Sequence, residues 1–154
     1  MPALEHLIYA SVAAQTFGAP ELAELLEKAR ASNELHGLTG MLLHSDADGS
    51  FFQVLEGEPA AIDQLLQKLL MDKRHSHLTL IIREPIPERQ FAEWTMGFSS
   101  VSADKLRKVP GLNDFFRKGS SFTELDAGRA KKLLSAFVEG RWRPTHLGAT
   151  PKVA

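Results

Sequence analysis

Residues 51–57 of the chain have the sequence FFQVLEG. A short apolar run of this kind is typical of a buried strand. Gln53 interrupts the run, and a buried amide that has no hydrogen-bond partner costs about 1–3 kcal/mol by mutational measures. The sequence therefore predicts that Gln53 faces a group that forms hydrogen bonds with its side chain.

Strands and helices alternate around this run. Apolar patterning predicts strands at residues 4–11, 38–44, 50–56, 78–83 and 91–99. Helices are predicted to begin at Pro20 and Pro59, because proline favours the first helical turn and apolar residues then recur at intervals of three and four. The order β-α-β-β-α-β-β predicts an α+β fold of the ferredoxin-like type, with one sheet and two helices on one face.

The character of the chain changes after Ser102, where short segments are separated by glycine and proline. A last helix is predicted from about Thr123, and its apolar stripe consists of Ala130, Leu133, Leu134, Phe137 and Val138. We expect a ligand-binding domain over residues 1–101 and a helical extension over residues 102–140. The extension would pack on the bare face of the sheet or on a second chain, and residues 141–154 would form a loose tail.

The composition excludes several classes of function. The chain has 154 residues, a formal net charge of −1 and no cysteine. Disulfides, thiolate metal sites and cysteine nucleophiles are therefore excluded, and the charge gives no reason to expect nucleic acid or an anionic membrane as a partner. No apolar run approaches the ~20 residues of a membrane span, and no signal peptide is visible. We therefore expect a cytoplasmic protein.

Several polar residues fall on faces that are otherwise apolar. Tyr9 and Ser11 share one face of the first strand, Asn33 ends the apolar stripe of the first helix, and Trp94 and Met96 share a face of the last strand. Together they indicate a polar ligand held between these elements. Each also has a structural explanation: a core tyrosine whose hydroxyl is bonded to backbone, a helix-terminal asparagine, and core packing.

Metal binding and nucleophilic catalysis have little support in the sequence. His75 and His77 are close together, but no third ligand is patterned near them, so we predict no metal. Ser11 and Ser99 lack a histidine and aspartate constellation. The other histidines are predicted to lie at the surface: His6, His36, His44 and His146.

Taken together, these positions resemble the BLUF family, the flavin-binding blue-light sensors. The matching motifs, in order, are Tyr9-Ala10-Ser11, Asn33 followed by Gly37-Leu38-Thr39-Gly40, Phe52-Gln53-Val54-Leu55-Glu56-Gly57, Asp72-Lys73-Arg74-His75, and Arg89-Gln90-Phe91 leading to Trp94-Thr95-Met96. The resemblance covers roughly residues 4–100. It implies a ferredoxin-like fold with the flavin ring held between the two helices.

The resemblance also implies a role for each matching residue. Tyr9 would donate an electron and a proton to the excited flavin, and Gln53 would lie between Tyr9 and the ring. Asn33 would bind the pyrimidine edge of the ring. Other implied contacts to the cofactor come from Ser11, Ser32, Arg74 and His75, and the implied relay of the signal consists of Trp94 and Met96.

Ser32 departs from the family pattern, in which a second amide or an imidazole often precedes the asparagine. Because serine is short, one contact to the flavin is expected to be missing or bridged by water.

The function that the resemblance implies is that of a blue-light photoreceptor. It would bind FAD noncovalently, with FMN and riboflavin as alternatives, and would carry no output enzyme. The signal would leave through the last strand and the C-terminal helices to an unidentified partner protein. A homo-oligomer is expected, with a dimer favoured.

Two other functions compete with this one. The first is a small flavin-dependent oxidoreductase, and the second is a flavin-free ferredoxin-like module that uses its sheet for association. The colour of the purified protein separates the flavin-free module from both flavoproteins. Reduction by a nicotinamide cofactor in the dark separates the enzyme from the sensor.

Overall fold

A computed structural model describes most of the chain, namely residues 3–12, 19–45, 49–71, 78–92, 95–101, 104, 106, 108–109, 111–118 and 121–138. Its first elements are β1 (Leu4–Val12), α1 (Ala19–His36), β2 (Thr39–Ser45), β3 (Ser50–Gly57), α2 (Pro59–Met71), β4 (Thr79–Ile86) and β5 (Gly97–Val101). They are followed by α3 (Asn113–Arg117), a 3-10 helix (Phe122–Glu124) and α4 (Ala127–Val138).

Within the described residues, five strands form one sheet in the order β4-β1-β3-β2-β5. β1 is antiparallel to both β3 and β4, and β2 is antiparallel to β3. β3 therefore lies between β1 and β2, and β1 lies between β3 and β4, which is the split βαβ arrangement. β5 is added at the edge, parallel to β2. The predicted ferredoxin-like fold is confirmed.

Two glycines are required where α1 leads into the sheet. Gly37 ends the helix with a φ of +70°, a left-handed conformation that glycine adopts without steric cost. Gly40 lies on β2, where a Cβ atom would come within 2.0 Å of the carbonyl oxygen of Val54. Any larger residue at position 40 would push β2 away from β3.

The two faces of the sheet are covered by different parts of the chain. The helix face lies under α1 and α2, and its strand residues are Leu7, Tyr9, Leu42, Phe51 and Leu55. The extension face alternates with it along the same strands, and its residues are Ile8, Ala10, Met41, Leu43, Phe52 and Val54. The extension face packs against the C-terminal segment, including Leu112, Phe116 and Phe122.

The C-terminal segment packs through aromatic rings and through α4. The rings of Phe52 and Phe122 have centroids 5.8 Å apart, and Ala130, Leu133 and Leu134 of the predicted stripe are buried. The side chains of Phe137 and Val138, and all of the predicted tail over 141–154, lie outside the described residues.

The last helix begins later than predicted from the sequence. Ser121 and Glu124 form a capping box at the N-terminus of the 3-10 helix rather than at the start of a longer helix. Asp126 then accepts a hydrogen bond from the backbone N–H of Arg129 at 2.8 Å. This contact satisfies a free N–H of the first turn, so α4 begins at Ala127.

Two further predictions were wrong. The strand predicted over residues 91–99 begins only at Gly97, because the N–H groups of Gln90 and Phe91 donate to the Glu56 carboxylate rather than to a neighbouring strand. His6 was predicted at the surface, yet it is 6% exposed. Its Nε2 lies 2.8 Å from Oε2 of Glu84, which is directly opposite on β4.

Candidate functional site

A cavity of about 260 Å3 lies over the helix face of the sheet, between α1 and α2. Its apolar lining includes Leu26, Leu42, Phe51, Leu55, Leu65 and Leu69. Its polar lining consists of Tyr9, Lys28, Ser32, Asn33, Gln53 and Lys68. A mainly apolar cavity with a few convergent polar groups is typical of a small-molecule site.

Strand pairing brings Tyr9 and Gln53 together on the floor of this cavity. β1 and β3 are antiparallel, and Tyr9 is directly opposite Gln53 in their register. Side chains in such positions have Cβ atoms about 4.5–5.5 Å apart and contact each other. The hydroxyl of Tyr9, a residue that is 2% exposed, donates a hydrogen bond to Oε1 of Gln53. One partner of the Gln53 amide is thus a phenol of the same chain.

The other end of the Gln53 amide contacts Met96. Nε2 of Gln53 donates to Sδ of Met96 at 3.4 Å, and Met96 is 1% exposed. A thioether sulfur is a weak acceptor, so this is the weaker contact of the amide. Tyr9, Gln53 and Met96 form a continuous chain of contacts that runs from β1 through β3 to the residue before β5.

Two residues of α1 hold the segment that contains Met96. Asn33 is buried, and its Nδ2 donates to the carbonyl oxygen of Thr95 at 2.6 Å. Nε of Arg30 donates to the carbonyl oxygen of Met96 at 3.1 Å. Burial lowers the pKa of the Arg30 guanidinium. Arg30 was missed in the sequence, although its spacing of three from Asn33 places both on one side of α1.

The two candidate serines occupy different positions. Ser32 is half-buried and lines the cavity, and its carbonyl oxygen accepts a hydrogen bond from Nδ1 of His36 at 2.8 Å. Ser11 is fully buried on β1, opposite Phe51. Within the described part of the chain, its Oγ has no hydrogen-bond partner. A buried hydroxyl of this kind is one place where a ligand could supply the missing contact.

Three predicted site residues, Arg74, His75 and Trp94, lie outside the described residues. Met96 is described and lies beside Gln53, but it precedes the last strand instead of lying within it. The structure therefore brings together five of the predicted residues around the cavity: Tyr9, Ser32, Asn33, Gln53 and Met96.

A second polar cluster holds the chain between β4 and Met96, and sequence reasoning gave it no role. The Glu56 carboxylate, 1% exposed, accepts hydrogen bonds from the backbone N–H groups of Gln90 and Phe91 at 2.7 and 3.0 Å and from the Thr39 hydroxyl at 3.0 Å. Arg89 donates to that hydroxyl at 2.8 Å. The signal was present in FFQVLEG, since a buried carboxylate needs partners even more than a buried amide does.

Two other kinds of site are absent from the described segments. No group of three or more histidine, aspartate or glutamate side chains there could hold a metal ion. No helix there is long and apolar enough to cross a membrane.

The fold and the cavity define a ferredoxin-like domain with a mainly apolar small-molecule site that carries a few polar groups. The chain belongs to the BLUF family, the sensors of blue light using FAD, whose model matches residues 4–97. It is therefore a member of a family of flavin-based blue-light sensors, as its sequence motifs indicated.

The curated relatives are much longer proteins. The chain is 32% identical over 125 residues to the photoactivated adenylate cyclase subunit beta of Euglena gracilis, a match that covers 80% of this chain and 14% of that protein. It is 33% identical over 121 residues to the subunit alpha of the same organism, covering 78% of this chain and 12% of that protein. The chain thus spans about one seventh of the relatives it matches.

Two solved structures are similar over nearly their whole length. The ground state of BlsA has a TM-score of 0.78 at 25% identity, and the match covers 97% of this chain and 96% of that one. The dark state of BlrB, a BLUF protein, has a TM-score of 0.65 at 28% identity, covering 88% of this chain and 98% of that one. The similarity to BlsA therefore includes the segment that follows the matched family domain.

The residues of the cavity fit a flavin. Leucines of both helices and Phe51 provide apolar walls for a flat ring system, while Asn33 and Gln53 provide amides for a polar edge. The unpaired hydroxyl of Ser11 on the same face of β1 is a further polar group.

Proposed function

We propose that this chain binds FAD noncovalently in the cavity between α1 and α2, and that Tyr9 and Gln53 form its light-driven switch. The observation that carries the proposal is the chain of contacts on the cavity floor: the Tyr9 hydroxyl donates to Gln53, and Gln53 donates to Met96. A switch needs a donor group, a responsive group and a relay in contact, and these three residues supply them.

The chemistry of Tyr9 and Gln53 suits this role. When bound, the flavin supplies absorption of blue light and an acceptor for one electron. Tyr9 is the electron donor, because a phenol is readily oxidised and its proton becomes strongly acidic when it is. Oε1 of Gln53 already accepts a hydrogen bond from that hydroxyl, so the proton would leave Tyr9 along this bond and return to it when the electron returns. An amide has both donor and acceptor atoms, so Gln53 can settle with its hydrogen bonds rearranged after the charges recombine.

The charges that line the cavity support a phosphorylated form of the cofactor. Lys28 of α1 and Lys68 of α2 both line it and are solvent-exposed. Two cations on opposing helices suit the phosphate groups of FAD or FMN, which riboflavin lacks. Of the forms that the sequence left open, a phosphorylated flavin is therefore favoured, and FAD is the form that the family description names.

The proposed signal leaves through Met96 and β5. Met96 contacts Gln53 and is followed directly by β5, which pairs with β2. The segment after β5 packs on the extension face of the sheet. In this proposal the chain is a photosensory protein rather than an enzyme, and a partner protein receives its signal. Self-association as a dimer and a cytoplasmic location stay predictions.

The test is an absorption spectrum of the purified protein before and after blue light. We expect bound oxidised flavin and a small, reversible red shift. Gln53→Leu keeps the volume of the side chain but removes both hydrogen-bonding atoms, so this variant should bind flavin and lose the red-shifted state. Gln67→Leu is the matched control, because Gln67 is exposed on α2. A colourless protein that takes up no added flavin, or a normal photocycle in Gln53→Leu, would contradict the proposal.

A further inference from the structure

The position of Met96 depends on side chains rather than on the sheet. The ladder between β2 and β5 begins at the pair Met41 and Gly97, so Thr95 and Met96 precede it. Both residues are buried despite this. Their backbone carbonyls are instead bonded to Asn33 and Arg30 of α1. The link between α1 and this segment is therefore made by two side-chain hydrogen bonds to adjacent peptide groups.

Arg30 makes the charged half of this link. Its Nε lies 3.1 Å from the carbonyl oxygen of Met96, and the residue is only partly exposed. A hydrogen bond from an ionised donor is about twice as strong as one between neutral groups. A cation that is partly withdrawn from water also needs its hydrogen bonds to offset the loss of solvation. Loss of the hydrogen bond to Met96 would therefore leave the Arg30 guanidinium less well solvated, which favours keeping this contact.

The residue that Arg30 holds is the same residue whose sulfur contacts the Gln53 amide. The Met96 carbonyl is bonded to Arg30, and the Met96 sulfur accepts from Gln53 at 3.4 Å. A weak N–H to sulfur contact cannot fix the backbone of Met96 by itself. The position of the sulfur therefore depends in part on where the carbonyl is held.

We propose that Arg30 is a positioning residue of the switch. By holding the Met96 carbonyl, it determines the position of the Met96 sulfur relative to the Gln53 amide. The inference rests on the proposed function of Tyr9 and Gln53. Arg30 acts through Met96 and takes no part in the electron or proton transfer. Its contribution is to the relative stability of the two arrangements of the Gln53 hydrogen bonds, and therefore to the rate of return after illumination.

The first experiment compares three variants of the full chain loaded with flavin. Arg30→Met removes the donor and keeps most of the side-chain length, Arg30→Lys keeps a cationic N–H donor, and Arg117→Met is the control at an exposed position of α3. For Arg30→Met we expect bound flavin, a red shift and a recovery half-time changed by about five-fold or more, as loss of a charged hydrogen bond allows. Arg30→Lys and Arg117→Met should stay within about two-fold. Unchanged recovery in Arg30→Met overturns the inference.

The second experiment separates positioning from a general structural role. Recovery is measured for Arg30→Met with Met96 intact and again in a Met96→Leu background, which completes a double-mutant cycle. If Arg30 acts through the Met96 sulfur, its effect should fall below about two-fold when leucine is present. The same factor in both backgrounds overturns the inference. If Arg30→Met does not bind flavin, the cycle is run with Arg30→Gln, to which the same two outcomes apply.

The outcomes also distinguish this inference from the proposal on which it rests. An unaltered chain that binds no flavin or shows no red shift contradicts the proposed function. If the red shift is intact and its recovery is unchanged in Arg30→Met, only the positioning role is contradicted.

Discussion

The helix face and the extension face of the sheet alternate along the same strands, yet they differ in what fills them. On the helix face, α1 and α2 enclose a cavity whose floor carries Tyr9 and Gln53. On the extension face, the aromatic rings of Phe52, Phe116 and Phe122 pack against one another. One step along a strand therefore separates a residue of the site from a residue of the core. Substitutions on the helix face should therefore change the light response, and substitutions on the extension face should change stability.

Truncation on the extension face should have the largest effect on stability. Phe122 is 1% exposed, and its ring contacts those of Phe52 and Phe116. Phe122→Ala should lower the free energy of unfolding by about 3–5 kcal/mol, because it removes buried surface and leaves a cavity. Urea denaturation followed by circular dichroism measures this. Phe115→Ala, at a half-buried position, should cost clearly less.

The fraction of Phe122→Ala that stays folded should keep the red shift, since the substitution does not touch the helix face. Two results would contradict the proposed division between the faces. One is a decrease in the free energy of unfolding of less than about 1 kcal/mol, and the other is a folded variant that binds flavin but shows no red shift.

Glu56 tests the difference between the two faces, because it lies on the extension face but holds the segment that leads to Met96. The N–H groups of Gln90 and Phe91 donate to different oxygens of the Glu56 carboxylate, so Glu56→Gln places an N–H donor against one of these two groups. Leaving a buried donor unpaired should lower the free energy of unfolding by about 1–3 kcal/mol. The same variant should also alter the recovery after blue light, which Phe122→Ala should not. Equal recovery in both variants would mean that this cluster serves stability alone.

How much of the molecule the sequence could predict depends on how local each signal is. The period of two along β1 predicted that Leu7 and Tyr9 share one face, and apolar spacing predicted α1 and α2, because each pattern is contained within one element. The alternation of Ala92, Trp94, Met96 and Phe98 predicted a strand that the structure begins only at Gly97. The reason is Glu56, which lies more than 30 residues earlier in the chain and binds the backbone at Gln90 and Phe91.

Long-range partners also explain the wrong prediction for His6 and the omission of Arg30. His6 is buried because Glu84, 78 residues later in the sequence, lies opposite it. Arg30 belongs to the site because the Met96 carbonyl lies against α1, at a separation of 66 residues. A local pattern contains no information on such pairs.

The contacts of Glu84 give the smallest expected effect. The Glu84 carboxylate lies between His6 of β1 and Lys131 of α4. Its hydrogen bond with His6, and then the contact with Lys131, lower the pKa of Glu84 below its ordinary value of 4.5. A carboxyl whose pKa is lowered in the folded state stabilises the fold above its ordinary pKa, and that stabilisation is lost as the pH falls through the folded-state value.

The check is the free energy of unfolding of the unaltered chain and of Glu84→Gln as a function of pH. The unaltered chain should be slightly more stable near neutral pH, and the two curves should converge as the pH falls below 4.5. A constant difference between them at all pH values would show that the charge of Glu84 is not the cause. The red shift should be the same in both proteins, since Glu84 lies on the extension side of the sheet.

The central claim is that light rearranges the hydrogen bonds of the Gln53 side chain on the helix face. The most direct measurement is a light-minus-dark infrared difference spectrum of protein whose glutamine side-chain amides are isotopically labelled, with Gln53→Leu as the reference. We expect isotope-sensitive amide bands in the unaltered chain that disappear in Gln53→Leu. An intact red shift without any isotope-sensitive glutamine band would contradict the claim.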